Sequence, residues 1–343
     1  WCVCCVCVFF FVFVFFFFLV FLLAFSFGSE FKLITATSLS LGDSYKKDYE
    51  ECIDEGLKEV DESKKLSQLE DILNKKTDDL VAALLKKAQL NSEEISAIGF
   101  SGQTVFHTNN KSYQIGNPQS IANNSEIGVL SDFRNFDISH GGMGAPLIPE
   151  FHKYLYSEEN KRKIIFNIGG IANGTYLMNK NISLASDVGP GNCLMDYIAS
   201  KKLTAPFDKE GYSASKGKFL KPLYEKLIKD CSSMKYPRAD DKNDYYNLIN
   251  SSILKIPPND SLNTLANFTA QKIKDFFIFC EKPEEIIFHG GGTNNLFLMS
   301  LIEERLGQNI KTTDDVIPSK FVEAAAFAYL AYLERGKVYI AKQ

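Results

Sequence analysis

A two-domain α/β fold follows from three features of the chain. Strand-like apolar runs alternate with helix-period segments from residue 31 onward. Glycine-rich loops stand at the ends of several of those strand-like runs. The 343 residues suffice for two domains, each with its own core. In open α/β sheets ligands bind at the carboxyl ends of strands. Four polar loops, those after Phe100, Ser131, Ser186 and His289, are therefore expected to converge on a site. Two such halves flanking an interdomain cleft describe an enzyme that closes on its ligands.

In order, Phe31–Thr37 reads as a strand, and Asp43–Gly56 and Leu66–Leu90 read as helices. In the second helix Leu69, Ile72, Leu73, Leu80, Leu84 and Leu85 recur at helical spacing, so one face is core. Ile95–Phe100 is a short strand before Ser101-Gly102-Gln103-Thr104, and Tyr113–Pro118 a strand ending in a turn. Gly128–Ser131 delivers Asp132-Phe133-Arg134 and Asp137, then a loop, Gly141–Pro146, too rich in glycine to be regular. A second series begins near Lys163. Ile164–Ile168 is a buried strand ending in Gly169-Gly170, and Asn173–Ser186 is hairpin-like. Residues 206–260 read as polar and irregular. Leu262–Cys280 is a helix, Glu285–His289 a strand, Asn294–Leu306 a helix, and Ser319–Glu334 a final helix with Glu323 in its first turn.

The composition falls into two populations. Eleven of the 28 Phe and four of the eight Cys lie in the first 27 residues, which carry no charge. This leader is long enough to cross a bilayer, yet it lacks the positive region of a signal peptide. Residues 1–23 use only Trp, Cys, Val, Phe and Leu, all encodable with T and G, as a misread genomic tract would be. The segment 1–28 is thus expected to be an artefact or an anchor, followed by a sugar-side domain over 29–160 and a nucleotide-side domain over 161–343. The remaining cysteines, Cys52, Cys193, Cys231 and Cys280, are widely spaced and read as buried thiols. A net charge of −4 without a basic block speaks against nucleic acid as a partner.

Ser186-Asp187-Val188-Gly189-Pro190-Gly191-Asn192 sets a carboxylate at a strand end against a turn with two glycines and then a helix. Amides opening that helix favour anions, so the stretch suits a phosphoryl group and a base; a plain turn is the competing reading. Gly290-Gly291-Gly292 follows a strand and precedes a helix, as a nucleotide loop or a simple turn would; it fits neither a P-loop nor G-x-G-x-x-G. Asp132, Arg134 and Asp137 could clamp a sugar or form a surface ion-pair cluster. Gln103 can hydrogen-bond a hydroxyl in both directions, or cap a turn. His107, His140, His152 and His289 are not spaced as a metal site.

The joint order of these motifs is more specific than any one of them. Phe100-Ser-Gly-Gln-Thr-Val-Phe-His107, Gln114-Ile-Gly-Asn-Pro118, Ser131-Asp-Phe-Arg-Asn-Phe-Asp137 and Gly141-Gly-Met-Gly-Ala-Pro-Leu147 run in sequence. Asn167-Ile-Gly-Gly-Ile-Ala-Asn173, Asp187-Val-Gly-Pro-Gly-Asn192, Phe207-Asp-Lys-Glu-Gly211, His289-Gly-Gly-Gly-Thr-Asn-Asn295 and Phe321-Val-Glu-Ala-Ala-Ala-Phe327 follow. Over about residues 31–335 the chain resembles the anhydro-N-acetylmuramic acid kinase family. The resemblance implies two RNase-H-like domains of the actin-like ATPase architecture, ATP and Mg²⁺ as cofactors, and an amino sugar as substrate. It implies that the sugar's 1,6-anhydro ring is opened by water and that O6 is phosphorylated. Asp187 then matches the general base. Gly189, Gly191 and Asn192 match one phosphate loop, and Gly290, Gly291, Gly292 and Asn294 the nucleotide loop. Gln103, Asp132, Arg134, Gly142 and Glu323 match substrate-side positions. A cytoplasmic location is implied, with a membrane only if the leader is genuine; the oligomeric state is open between monomer and homodimer.

The chain departs from that family at several loops. The family's opening hairpin, with Ser-Gly-Thr-Ser-Leu-Asp-Gly as its first phosphate loop, is expected to be lost, leaving a sheet edge unpaired. Ala36-Thr37-Ser38-Leu39-Ser40-Leu41 echoes it, with Ser40 where Asp is expected and the following strand missing. Ser101 stands for His, Val188 for Thr and Met143 for Gln. Pro237-Arg238-Ala239-Asp240-Asp241-Lys242-Asn243 replaces Pro-Lys-Ser-Thr-Gly-Arg-Glu. Weak or absent turnover is the expected consequence. A non-catalytic binding relative of the same fold, or a membrane-tethered binding protein, is the alternative.

Overall fold

A computed structural model describes residues 7–14, 19–27, 31–54, 63–108, 110–231, 235–249, 251–281 and 283–342. Two compact units emerge: residues 1–151 together with 323–343, and residues 152–322.

The first unit carries a six-stranded sheet. Its strands are β1 (Cys7–Val14), β2 (Leu19–Phe27), β3 (Lys32–Ser40), β4 (Ile95–Phe100), β7 (Val129–Ser131) and β13 (Lys337–Tyr339), in the order β13-β7-β4-β1-β2-β3. β1, β2 and β3 form an antiparallel meander, while β4 runs parallel to β1 and β7 parallel to β4. A separate hairpin joins β5 (Gln103–His107) to β6 (Ser112–Ile115). The helices are α1 (Asp43–Asp54), α2 (Lys64–Ala88), α3 (Pro118–Ser125), α4 (Phe133–Ser139) and α5 (Pro149–Tyr156), whose last residues belong to the second unit. In α2 the leucine period works as expected. Leu66, Leu69, Leu73, Leu80 and Leu84 are buried against Ile98, Phe100 and Ile115, and Ser63 caps the helix through its hydroxyl. Ile72, included in that stripe by spacing, is exposed.

The second unit repeats the plan. β8 (Arg162–Ile168), β9 (Ile171–Met178) and β10 (Asn181–Pro190) form an antiparallel meander, and β11 (Glu285–His289) and β12 (Lys311–Thr312) add in parallel, giving β10-β9-β8-β11-β12. Between them run α6 (Cys193–Leu203), α7 (Tyr212–Ser215), α8 (Lys221–Asp230), α9 (Lys242–Tyr246), α10 (Ser251–Lys255), α11 (Pro258–Phe279) and α12 (Leu296–Leu306). α13 (Val322–Tyr332) leads back to the first unit. The period-two alternation of β8 divides its side chains between two cores. Ile164, Phe166 and Ile168 face α6 and α11, while Ile165 faces Leu177 and Ile287. Phe166 packs on Phe276 and Phe288 at ring centroid distances of 5.7 and 5.1 Å.

Both sheets share a five-strand plan, a three-stranded meander whose first strand takes two further parallel strands on its other side; the first sheet adds β13, antiparallel to β7, at its edge. This is the RNase-H-like arrangement expected for each half.

Four details differ from the sequence reading. Backbone strands β1 and β2 stand inside the sheet, where an unpaired edge was expected; a run mostly of Val, Leu and Phe with Ser26 as its one hydroxyl residue suits a strand flanked on both sides. The boundary between the units falls at residues 151/152, rather than 160/161, and residues 323–343 return to the first unit. β13 pairs there with β7, and Phe327 packs on Phe133. The stretch 206–260 is not irregular: among its short helices Leu227, Tyr245 and Ile253 are buried. Finally, β10 runs through Asp187 to Pro190 instead of ending at Ser186, with a register shift between Asp187 and Gly189. The Phe15–Phe18 stretch and residues 1–6 and 28–30 of the leader lie outside the described residues. Among the described residues no helix is long and apolar enough to cross a membrane.

Candidate active site

In the second unit three turns meet at one end of the sheet. Gly169-Gly170 follows β8, Gly191-Asn192 follows β10, and Gly290–Asn294 follows β11. Their glycines are demanded by contact. A Cβ on Gly191 would lie 2.3 Å from the Gly169 carbonyl oxygen, and one on Gly292 would lie 2.2 Å from Ile168 Cγ2. Gly290 has φ +91, a region that disfavours other residues, and its Cβ would meet Asn167 Oδ1 at 2.3 Å. Gly291 differs, with nothing within 4 Å of a Cβ placed there. Asn294 holds the turn from its exposed side chain, donating to the Gly291 carbonyl. Asn295 caps α12 by accepting from Leu298 N.

The amides at the start of α6 are not directed outward as the sequence implied. Gly191 N and Cys193 N donate to the Gly170 carbonyl, and Asn192 N to that of Gly169. The β10–α6 turn is therefore stapled to the β8–β9 turn, which satisfies orphan donors of the helix internally.

Asp187 is half-buried on β10, at the sheet's edge. Its Oδ2 accepts from Asp240 N at 2.8 Å, and its own N donates to the Arg238 carbonyl at 3.0 Å. Oδ1 takes no hydrogen bond from the described residues. Burial raises the carboxyl from 3.8 to about 6; the Asp240 amide opposes that shift, the Asp240 carboxylate adds to it, and Arg238 opposes it. A second carboxyl, Asp196 in the first turn of α6, is raised to about 7 by burial against the opposing charge of Lys242. Lys242 lies over the Gly170 turn: its Cε would be 2.6 Å from a Cβ there.

Just before the triple glycine, His289 is buried against His152. Their Nε2 atoms are 2.9 Å apart, and His152 Nδ1 lies 2.9 Å from Thr175 Oγ1. Burial holds both rings well below the usual imidazole range, His289 at about 3. Among the described residues no three His, Cys, Asp or Glu side chains are gathered to hold a metal ion.

The first unit brings its own polar residues together. Arg134 Nη1 donates to the Gly144 carbonyl at 2.8 Å, and Asp137 Oδ2 accepts from Gly144 N at 2.8 Å. Arg134 and Asp137 therefore hold the 141–144 loop, and a Cβ on Gly142 would clash with the Asp137 carboxylate at 2.0 Å. Burial lowers the Arg134 guanidinium, and Glu323 opposes that shift, which places Glu323 in the same electrostatic cluster. His107 is lowered by burial and by Arg134. Asp132 adopts φ +58, uncommon for a residue with a side chain, and its Oδ1 accepts from Asn135 Nδ2 at 2.6 Å. Gln103 is buried and taken up by the hydroxyl of Tyr45, which donates to Oε1 at 2.5 Å. This gives Gln103 a hydrogen-bond partner inside the unit.

The parts played by Arg238, Asp240, Asp196 and Lys242 are not legible from local sequence. The one available signal was Arg238-Ala-Asp240, two opposite charges on the same side of an extended segment.

Comparison with known proteins now decides the family. The family model described as anhydro-N-acetylmuramic acid kinase matches residues 21–338. The chain belongs to the anhydro-N-acetylmuramic acid kinase family. It is 36% identical over 258 residues to the anhydro-N-acetylmuramic acid kinase of Gamma-proteobacterium EBAC31A08, covering 71% of this chain and 70% of that one. It is 35% identical over 268 residues to the enzyme of the same name from Pasteurella multocida (strain Pm70), covering 74% and 71%. A solved structure, component A of the (R)-2-hydroxyglutaryl-CoA dehydratase of Acidaminococcus fermentans, covers 92% of this chain and 95% of its own. Its TM-score is 0.49 at 11% identity. Membership places the chain among the ATP-dependent sugar kinases.

Proposed function

We propose that the chain carries out the reaction its family is named for. It would open the 1,6-anhydro ring of anhydro-N-acetylmuramic acid with water and phosphorylate O6 from ATP. The observation that carries this reading is the half-buried carboxylate of Asp187. One oxygen is fixed by the Asp240 amide and the other takes no hydrogen bond from the described residues. With its carboxyl at about 6 the group is mostly ionised at neutral pH, yet basic enough to take a proton in a transition state.

In this reading Asp187 Oδ1 removes a proton from water as the water oxygen bonds to C1. The C1–O6 bond breaks, O6 attacks the γ-phosphorus, and the bond from phosphorus to the ADP oxygen breaks. The proton on Asp187 passes to solvent. ATP would be taken up as ATP·Mg, the metal supplying neutralisation of phosphate charge. The turn at Gly290–Asn294 serves the nucleotide, and the Gly191–Asn192 turn supports it by fixing Gly169-Gly170 through its amides. Gly291 is the place where backbone can approach phosphate without obstruction. Gln103, Asp132, Arg134, Gly142 and Glu323 serve the sugar, Arg134 and Gly142 chiefly by shaping the 141–144 loop.

Turnover is proposed to be low. The residues joining β1 to β2 are Phe15–Phe18, with no glycine, hydroxyl or carboxylate to cradle a phosphate. The test is an assay of the full chain with ATP·Mg and anhydro-N-acetylmuramic acid, read by the mass of a product carrying both water and phosphate. Replacing residues 15–18 with Ser-Gly-Thr-Ser-Leu-Asp-Gly should raise the rate at least tenfold. No such product from either protein, with ATP bound normally, would favour a non-catalytic binding protein instead.

A further inference from the structure

We propose that the Arg238–Asp240 ion pair is a clamp that positions Asp187, making both side chains positioning residues for the base. The proposal rests on the reading of Asp187 given above.

The segment around Arg238 lies along the edge strand β10 as a short extra rung. Arg238 N donates to Ser186 Oγ at 2.9 Å, the Arg238 carbonyl accepts from Asp187 N at 3.0 Å, and Asp240 N reaches Asp187 Oδ2 at 2.8 Å. Alone, an extended run of this kind has little to hold it in register. The side chains provide the hold. Arg238 Nε contacts both Asp240 oxygens at 2.9 and 3.0 Å, and Nη2 donates to the Val188 carbonyl at 2.5 Å. One planar guanidinium thus ties the segment to the residue following Asp187. That geometry asks for the fork of an arginine rather than a lysine. The Tyr245 hydroxyl donates to Asp240 Oδ2 from α9, and Arg238 lies over the Tyr236 ring at 5.1 Å. The ion pair is 10% and 8% exposed, so solvent screens it little.

The clamp also surrounds the base with two opposite charges. Asp240 pushes the Asp187 carboxyl up and Arg238 pulls it down. Those are the charged groups that act on it. Cys231, Tyr236 and Tyr245 lie around the ion pair itself, and Asn173 of β9 is opposite Asp187 in register.

The test titrates Asp187 directly, by the carboxyl carbon resonance of labelled full-length protein, assigned through Asp187→Asn. Asp240→Asn should move the midpoint down by about one pH unit, and Arg238→Gln should move it up by about one. Arg238→Lys keeps the charge and should leave the midpoint near that of the parent. In the turnover assay, Arg238→Lys should lower kcat at least tenfold with the KM for ATP unchanged. Because the titration needs no activity, the two ideas fail separately. Opposite displacements in a protein without turnover sustain the clamp and sink the kinase reading. Midpoints that stay put, or Arg238→Lys with parental kcat, overturn the clamp.

Discussion

The imidazoles of His152 and His289 meet at 69° with their Nε2 atoms 2.9 Å apart, and the second ring is followed at once by the triple-glycine turn. Each nitrogen pair can share one proton; a second would set two N–H groups against each other. Burial at 0% and 1% exposure disfavours the charged form of both rings on folding.

This makes stability pH-dependent in a stated direction. Both rings sit below their unfolded value of 6.5, so their contribution is present above pH 6.5. It is lost as pH falls towards the folded value, about 3 for His289. Each such ring adds up to about 1.4 kcal/mol of lost stability per pH unit in that window. Denaturant unfolding at pH 7.5, 6 and 5 should show the loss, and His289→Gln should flatten it by the share of one ring. An unchanged slope in the variant would remove His289 as its source.

The glycines of the candidate site should separate into two kinds. Gly191→Ala drives a methyl into the Gly169 carbonyl, a backbone obstacle, and should cost about 1–3 kcal/mol in unfolding free energy. Gly291→Ala meets nothing within 4 Å, so its melting temperature should stay within a few degrees of the parent. If Gly291 faces phosphate, the same variant should bind ATP·Mg at least tenfold more weakly in calorimetry.

Much of this arrangement was legible beforehand where local chemistry alone decides it. Ile95–Phe100 and Glu285–His289 are apolar runs bounded by polar or glycine-rich turns, and both begin and end as read. Gly-Pro-Gly after Asp187 looks like a stop that would end the strand before it. Pairing with β9 and the 238–240 segment carries the strand onward instead, and no local signal reports that. The α6 amides were misdirected for the same reason: their acceptors lie about twenty residues upstream, on Gly169 and Gly170. Glu323 was legible as a first-turn acid of α13; its place in the Arg134 cluster depends on the chain returning to the first unit.

Arg134 offers a test on the sugar side. Its guanidinium holds the Gly144 carbonyl, and Asp137 holds the Gly144 amide. Arg134→Gln should loosen the 141–144 loop and raise the KM for sugar about tenfold or more, with the KM for ATP little changed. Equal effects on both constants would place Arg134 in general stability rather than in the sugar loop.

Asp187 has a signature that does not depend on turnover. Its carboxyl is raised in the folded protein, so its contribution to stability is present below pH 3.8 and lost as pH rises through about 6. Asp187→Asn should therefore melt at a higher temperature than the parent at pH 8, with the gap closing towards pH 4. A gap that widened on acidification would contradict the burial of a charged group there.

The most direct measurement is the turnover of Asp187→Asn beside the parent chain, each with and without the replaced 15–18 turn, in the product-mass assay at pH 7.5. Loss of a general base predicts a fall of about 10²–10⁴ in kcat, with calorimetric ATP·Mg affinity nearly unchanged. A variant that turns over at the parental rate would contradict the account.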